Sequence, residues 1–322
     1  MLCFLSTAYA AVSVDRYGDG WFMKEIKKYQ NLEHIPQGKA KTVIQPGCLV
    51  IEGGAFRGLY NQGVLDALML NDINIHTVIG VSAGALAGMN YVSGQIGRSA
   101  RANLEYRHDS RFVGVKAMHH AHSILDLDFL LETYNEYDPL DRDRFESDDR
   151  HFVAVATNCL TGKAMYYDKN NCSNIYDAIK ASASMPYISS MVEVDGIPCL
   201  DGGCSCHIAY QWALDQGFEK IVVIRTRERG YRKDDKNHPL APKIYKEYEA
   251  FAHTLLLSDA NYNWECQQVE DLQDKGRIFV IAPKEPVNVS RIEGDMEKLG
   301  ELYWEGFEDG IHVMEELREY LR

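Results

Sequence analysis

The apolar residues of this chain fall in short β-branched runs, separated by glycine and followed by helical spacing. Residues 48–52 form one such run, bounded by glycine, and predict a buried strand. Leu59, Gly63, Val64, Ala67 and Leu68 then recur at helical spacing, which predicts a helix to about Leu70 that stops at Asn71-Asp72. A second apolar run, residues 77–81, leads into small residues with a helical pattern. Strand, glycine loop, helix, strand is a βαβ unit, so the two strands should be parallel with a right-handed crossover.

The later pattern continues in kind. Residues 152–157 predict a buried strand, turned at Gly162 into a hairpin partner at 164–167. Residues 175–184 read as an alanine- and serine-rich helix ended by Met185-Pro186. Residues 191–194 and 197–200 flank Asp195-Gly196, a hairpin signal. Strands are predicted at 220–226, after a helix capped by Gly217, and at 277–282. Residues 239–274 read as mostly helical. Residues 295–321 predict one closing amphipathic helix with Leu299, Leu302, Tyr303, Phe307, Ile311, Met314 and Leu317 on or near one face. The stretch 94–150 is helical and polar, with an apolar patch at Leu127, Phe129, Leu130 and Leu131, and residues 23–46 read as a polar peripheral arm.

Composition narrows the class. A chain of 322 residues suits one large domain, or one domain with an extension. The net charge of −13 argues against nucleic-acid binding, and leaves room for brief membrane contact through a local patch. The one basic cluster, residues 225–233, reads as a solvated loop beside Asp234 and Asp235, with anionic lipid headgroups as its second reading. Eight scattered cysteines favour a reducing compartment over a disulfide framework. Cys204-Ser205-Cys206-His207 is half of a metal site without a second half, and His119-His120-Ala121-His122 reads as solvated, so no metal is expected. No run approaches the length of a membrane span. Residues 1–10 end in Ala-Tyr-Ala but lack a basic start; a natural start at Met23 is the preferred reading. The expected location is cytoplasmic, with export left open by that poor signal-like segment.

Three stretches carry candidate chemistry. Gly80-Val81-Ser82-Ala83-Gly84 stands between a strand and a helix, the setting of a nucleophile elbow, where Gly80 and Gly84 permit a tight turn and the helix N-terminus favours negative charge. Gly53-Gly54-Ala55-Phe56-Arg57-Gly58 follows the neighbouring strand and lies at the same sheet edge. Its bare backbone N–H groups suit an oxyanion hole. A dinucleotide loop fits less well, because Ala55 breaks the middle glycine of the fingerprint and no ribose-binding acid ends the second strand. Asp201-Gly202-Gly203 puts an acid on a tight turn at a strand end; a turn-forming aspartate is the plainer reading.

In this order the three stretches resemble the patatin-like phospholipases. Ala156-Thr157-Asn158 with Thr161-Gly162-Lys163, and the Ala-Ser-x-x-x-Pro stretch at 181–186, agree with that resemblance, which covers about residues 48–226 and is closest to the bacterial predicted-phospholipase branch. It implies a three-layer α/β/α sandwich with a mostly parallel sheet. The layout would be a peripheral arm at 1–46, a catalytic domain at 47–228, and a helical C-terminal extension at 229–322 contributing one strand. It further implies a serine lipid acyl hydrolase with a Ser82–Asp201 dyad, an oxyanion hole at Gly53, Gly54 and Ala55, and support from Arg57, Gly58, Gly80, Gly84, Gly202 and Gly203. No cofactor is implied. The substrate would be a lipid or phospholipid ester, with room for transient membrane-surface contact and with oligomeric state left open. Ala55 departs from the family's third glycine; at positive φ it would cost about 1 kcal/mol. Two other readings stand beside this one: a Ser-His-Asp α/β-hydrolase using His207 or His238, and a non-catalytic lipid-binding or scaffold protein.

Overall fold

The glycine-bounded apolar runs become the strands of one eight-stranded sheet. A computed structural model describes residues 12–17, 20–121, 123–234 and 238–322; the signal-like segment 1–10, His122 and Asp235 lie outside the described residues. An antiparallel hairpin, β1 (Val12–Tyr17) and β2 (Gly20–Glu25), comes first. β3 (Gly38–Lys39) is followed by the βαβ unit: β4 (Gln45–Ile51), α1 (Leu59–Leu70) and β5 (Ile75–Val81), with β4 and β5 parallel as expected. Next come α2 (Ala83–Val92), β6 (Gln95–Ile96), which pairs with β3, and α3 (Arg98–Tyr106). Then follow α4 (Val115–Ala121), α5 (Leu127–Leu131), α6 (Arg142–Glu146), β7 (His151–Asn158) and β8 (Ala164–Tyr167). The chain continues with α7 (Ile175–Ser182), β9 (Val192–Val194), β10 (Ile197–Asp201), α8 (Tyr210–Asp215) and β11 (Ile221–Ile224). It closes with α9 (Ala241–Ile244), α10 (Glu249–Asp274), β12 (Phe279–Ile281), α11 (Met296–His312) and α12 (Met314–Leu321).

β12, β11, β4, β5 and β7 lie side by side and parallel. Their side chains alternate between two apolar layers. Leu49, Ile51, Val78, Val222 and Ile224 face one, with residues of α1, α2, α7 and α11. Cys48, Val50, Ile79, Val81, Ile221 and Val223 face the other, with α8 and α10. The protein is therefore a three-layer α/β/α sandwich. Burial on both faces is why these strands read as unbroken apolar runs.

The edge of β7 decides where the site forms. β8 pairs antiparallel along one edge, with Ala154 opposite Tyr167. Along the other edge β5 runs parallel until Val81 stands opposite Val155. β10 then takes over that edge from the far end, antiparallel, with Asp201 opposite Ala156. The ends of β5 and β10 thus meet head to head, at consecutive positions of one partner strand.

Three sequence expectations change. The arm is not peripheral: Ile26, Tyr29, Ile35 and Ala40 are buried, and the Tyr29 ring lies where a Cβ on Gly300 of α11 would fall. The closing helix is two helices broken at Val313; Met314 and Leu317 are buried from the second, while Ile311 is exposed. The basic cluster is a solvated loop only in part: Arg229 is exposed, but most of the cluster's charges are paired. Arg225 is only 1% exposed and faces Glu270 at 3.3 Å and Glu52 at 4.0 Å. Arg229 pairs with Asp274, Arg232 with Glu270, and Lys233 with Asp259. Asp259, Glu270 and Asp274 sit on α10 and Glu52 follows β4, too far along the chain for a local charge pattern to reveal them. No helix among the described residues is long and apolar enough to cross a membrane. Seven cysteines are free among the described residues, all but Cys172 buried.

Candidate active site

Ser82 sits on the turn between β5 and α2 with φ 56° and ψ −124°. A non-glycine residue there is strained by roughly 1–3 kcal/mol, a cost that persists only where the surroundings over-determine it. Gly80 and Gly84 are what allow the turn. A Cβ on Gly80 would lie 2.4 Å from the Gly84 carbonyl oxygen, and one on Gly84 would lie 2.4 Å from that of Ile51. The Ser82 hydroxyl does not cap α2. It donates instead to Asp201 Oδ2 at 2.6 Å. Both residues are buried.

Asp201 is held from several directions. Gly203 N–H donates to Oδ1 at 2.7 Å, Asp201 N–H donates to Ser184 O at 2.8 Å, and Thr157 Oγ1 donates to Asp201 O at 2.8 Å. Gly202 must be glycine, because a Cβ would meet Val155 O at 2.1 Å. Burial pushes the Asp201 carboxyl up to about 6, against the pull of the Ser82 hydroxyl, the Gly203 N–H, and the charges of Arg291 and Lys233. Ser182 Oγ accepts from Ser82 N–H at 2.9 Å.

The glycine loop lies beside the elbow. A Cβ on Gly53 would sit 2.8 Å from Ser82 Cβ, and one on Gly58 would sit 3.0 Å from Ala83 Cβ. The N–H groups of Gly53, Gly54, Ala55 and Ala83 find no acceptor among the described residues. The loop is tied down elsewhere. Thr226 Oγ1 donates to Gly53 O at 2.9 Å, and Glu52 accepts from Thr226 N–H at 2.7 Å and from Tyr262 OH at 2.9 Å. Arg57 is part-buried with its Nε unpartnered. Ala55 has φ 50°, the left-handed conformation that glycine adopts without strain. Ala55→Gly is therefore expected to stabilise the fold by roughly 0.5–1 kcal/mol, the relief of strain exceeding the added chain entropy; a shift of the urea midpoint measures it, and Ala55→Val should shift it the other way.

From Ser82 an apolar cleft runs between Phe56, Leu86, Met89, Phe112, Leu127 and Met185. Its lining also includes the polar residues Gln62, Asn90, Arg98 and Asn103. Among the described residues no group of three or more His, Cys, Asp or Glu is placed to hold a metal ion.

A family model described as patatin-like phospholipase matches residues 49–209, half of the chain. The chain belongs to the patatin-like phospholipase family. A second model, a domain of unknown function (DUF6363), matches residues 248–322. The chain is similar to the uncharacterized protein YjjU of Escherichia coli K12, 28% identical over 276 residues that cover 80% of this chain and 75% of that one. Among solved structures it is similar to VipD from Legionella pneumophila, with a TM-score of 0.44 at 11% identity, covering 91% of this chain and 71% of that chain.

In this member of the family the two histidines named by the hydrolase alternative point elsewhere. His207 Nε2 meets Ser258 Oγ and Lys233 Nζ, each at 3.1 Å, and burial holds the ring well below its ordinary pKa. His238 faces Asp259 at 3.5 Å and stacks on Tyr187. Sequence reasoning missed the residues that position the site. Ser182 and Ser184 lie in the Ala-Ser-x-x-x-Pro stretch, which was visible without a role. Glu52 closes an apolar strand, and a buried acid needs partners, so a signal was present. Thr226 carried none.

Proposed function

We propose that this protein is a serine lipid acyl hydrolase that cleaves carboxylic esters through Ser82 and Asp201. The observation that carries the reading is the 2.6 Å hydrogen bond from Ser82 Oγ to a buried Asp201 whose carboxyl lies near 6, and so is ionised at neutral pH. Ser82 Oγ attacks the acyl carbonyl while its proton passes to Asp201 Oδ2. The oxyanion is met by unpartnered N–H groups of the loop at Gly53, Gly54 and Ala55 and by that of Ala83. The ester C–O bond then breaks, and the leaving alcohol takes the proton from Asp201. Water attacks the acyl-enzyme, gives its proton to Asp201, and frees the carboxylic acid as Ser82 regains its hydroxyl. The cleft beyond Ser82 offers apolar walls to an acyl chain. Lipid substrates bring the enzyme to a membrane surface.

Fluorophosphonate labelling, followed by product analysis on p-nitrophenyl esters of graded length and on defined phospholipids, tests this. Wild type is expected to be labelled and to release fatty acid, and Ser82→Ala to do neither. A protein that is unlabelled and inactive on every ester would be a lipid-binding member of the fold, and the proposal would fall.

A further inference from the structure

Beside the dyad, three guanidinium groups share one neighbourhood with no carboxylate bound to any of them. Arg57 comes from the glycine loop, Arg227 from the segment after β11, and Arg291 from the loop before α11. Hydrogen bonds to the backbone draw these segments together: Thr226 Oγ1 donates to Gly53 O at 2.9 Å, and Phe56 N–H donates to Arg291 O at 3.3 Å. The Arg291 loop is braced from the residues just after α3, where Arg107 donates to Ile292 O at 2.7 Å and to Glu293 O at 2.5 Å, and His108 Nε2 meets Gly294 O at 2.7 Å.

The neighbouring cations Arg225, Arg229, Arg232 and Lys233 all have acids. These three differ. The Nε atoms of Arg57 and Arg227 are buried without a partner. Arg227 donates one bond, to Val287 O at 2.5 Å, and lies over the Tyr231 ring. The Arg291 side chain has no hydrogen-bond or ion-pair partner among the described residues. Glu52, a carboxylate whose charge acts on Arg57, already accepts from Thr226 and Tyr262. Burial, Arg227 and Arg291 together push the Arg57 guanidinium down to about 10, so the group repels itself. A chain with 47 acids and 34 bases has carboxylates to spare for surface cations. Three guanidiniums without an acid beside a nucleophile therefore point to an anion as the missing partner, and the guanidinium fork matches phosphate oxygens.

We propose that Arg57, Arg227 and Arg291 form a phosphate site at the mouth of the dyad, filled by a phosphate on the alcohol side of the ester that Ser82 attacks. This rests on the reading of Ser82 and Asp201 as an ester-cleaving pair. Two of the three arginines lie outside the patatin match at 49–209, and Arg291 lies within the C-terminal match at 248–322. That segment of unknown function would then supply part of the substrate site.

The test compares a 1-acylglycerol 3-phosphate with the matching 1-monoacylglycerol, which differ only in the phosphate. Wild-type kcat/KM should favour the phosphate ester by about tenfold or more, and Arg291→Glu should lower that ratio by about tenfold or more, the range of a charge-assisted contact. Arg291 is exposed, so its replacement leaves the fold intact, and Arg227→Gln should move the ratio in the same direction. Calorimetry on Ser82→Ala adds a readout that needs no turnover. Binding of the acylglycerol phosphate well above inorganic phosphate, lost in Ser82→Ala/Arg291→Glu, supports a headgroup site. Equal binding of inorganic phosphate, lost in the same variant, supports the phosphate site and assigns it to a free anion. A substrate ratio that neither arginine variant moves, with no arginine-dependent binding, overturns the proposal. Absent fluorophosphonate labelling would instead overturn the dyad reading, while the calorimetry still reports on the phosphate site.

Discussion

Asp201→Asn should lower kcat by about a thousandfold while making the protein more stable above pH 6. The side chain is isosteric, so Oδ1 can still accept from Gly203 N–H. Its amide nitrogen, however, donates toward Ser82 Oγ where the carboxylate accepts, and no group remains to take the serine proton. The stability change follows from the raised carboxyl, which lies at about 6 in the fold against 3.8 for a free side chain. Between those values the unfolded chain has released a proton that the folded one retains. Wild-type stability from this group is therefore intact below pH 4 and falls as pH rises to about 6. Beyond that the loss is complete, at roughly 3 kcal/mol for a shift of about two units. The asparagine variant escapes it, so its advantage should be near zero at pH 4 and largest at pH 7–8. Urea melts of both proteins across that range measure it. The same ionisation sets the activity profile of the wild type: kcat/KM should climb through about pH 6 and level off above pH 7. A flat profile from pH 5 to 8, or a variant within tenfold of wild type, would remove Asp201 from the role of base.

Gly63→Ala should destabilise the fold by about 3 kcal/mol or more, although alanine is the better helix former by about 1 kcal/mol. α1 and α11 touch backbone to backbone. A Cβ on Gly63 would lie 2.0 Å from Tyr303 O and 2.7 Å from Phe307 N, and one on Gly306 would lie 2.1 Å from Tyr60 O. None of these atoms can step aside without moving a helix. Separation would also strain two buried hydrogen bonds that cross the same contact, Tyr60 OH to Asp309 at 2.9 Å and Tyr303 OH to Asp66 at 2.8 Å. Chemical denaturation gives the magnitude. If Gly63→Ala proved neutral or stabilising, the helices would not be in the contact described. Because α1 follows the glycine loop directly, loosening it should also lower activity.

Much of this protein was legible in its sequence. The strands at β4, β5, β7 and β11, the helices α1 and α2, the hairpin at Asp195-Gly196 and the three glycine-marked stretches all announce themselves locally. Periodicity and turn chemistry act between near neighbours, so their signals survive in one dimension. Even the φ of 50° at Ala55 matches the concern raised by an alanine where a glycine was expected.

Other features were decided only by tertiary structure. Ser82 and Asp201 are 119 positions apart, and nothing near either one names the other. They meet because β5 and β10 end at consecutive positions on one edge of β7, a matter of strand pairing that no local pattern encodes. The basic run at 225–233 illustrates the same limit. Its charges look free along the chain, yet most are neutralised by α10, whereas Arg291 looks ordinary and ends up against the glycine loop. Whether a charge is paired depends on which segments fold against it, and that is settled by the packing of helices on the sheet.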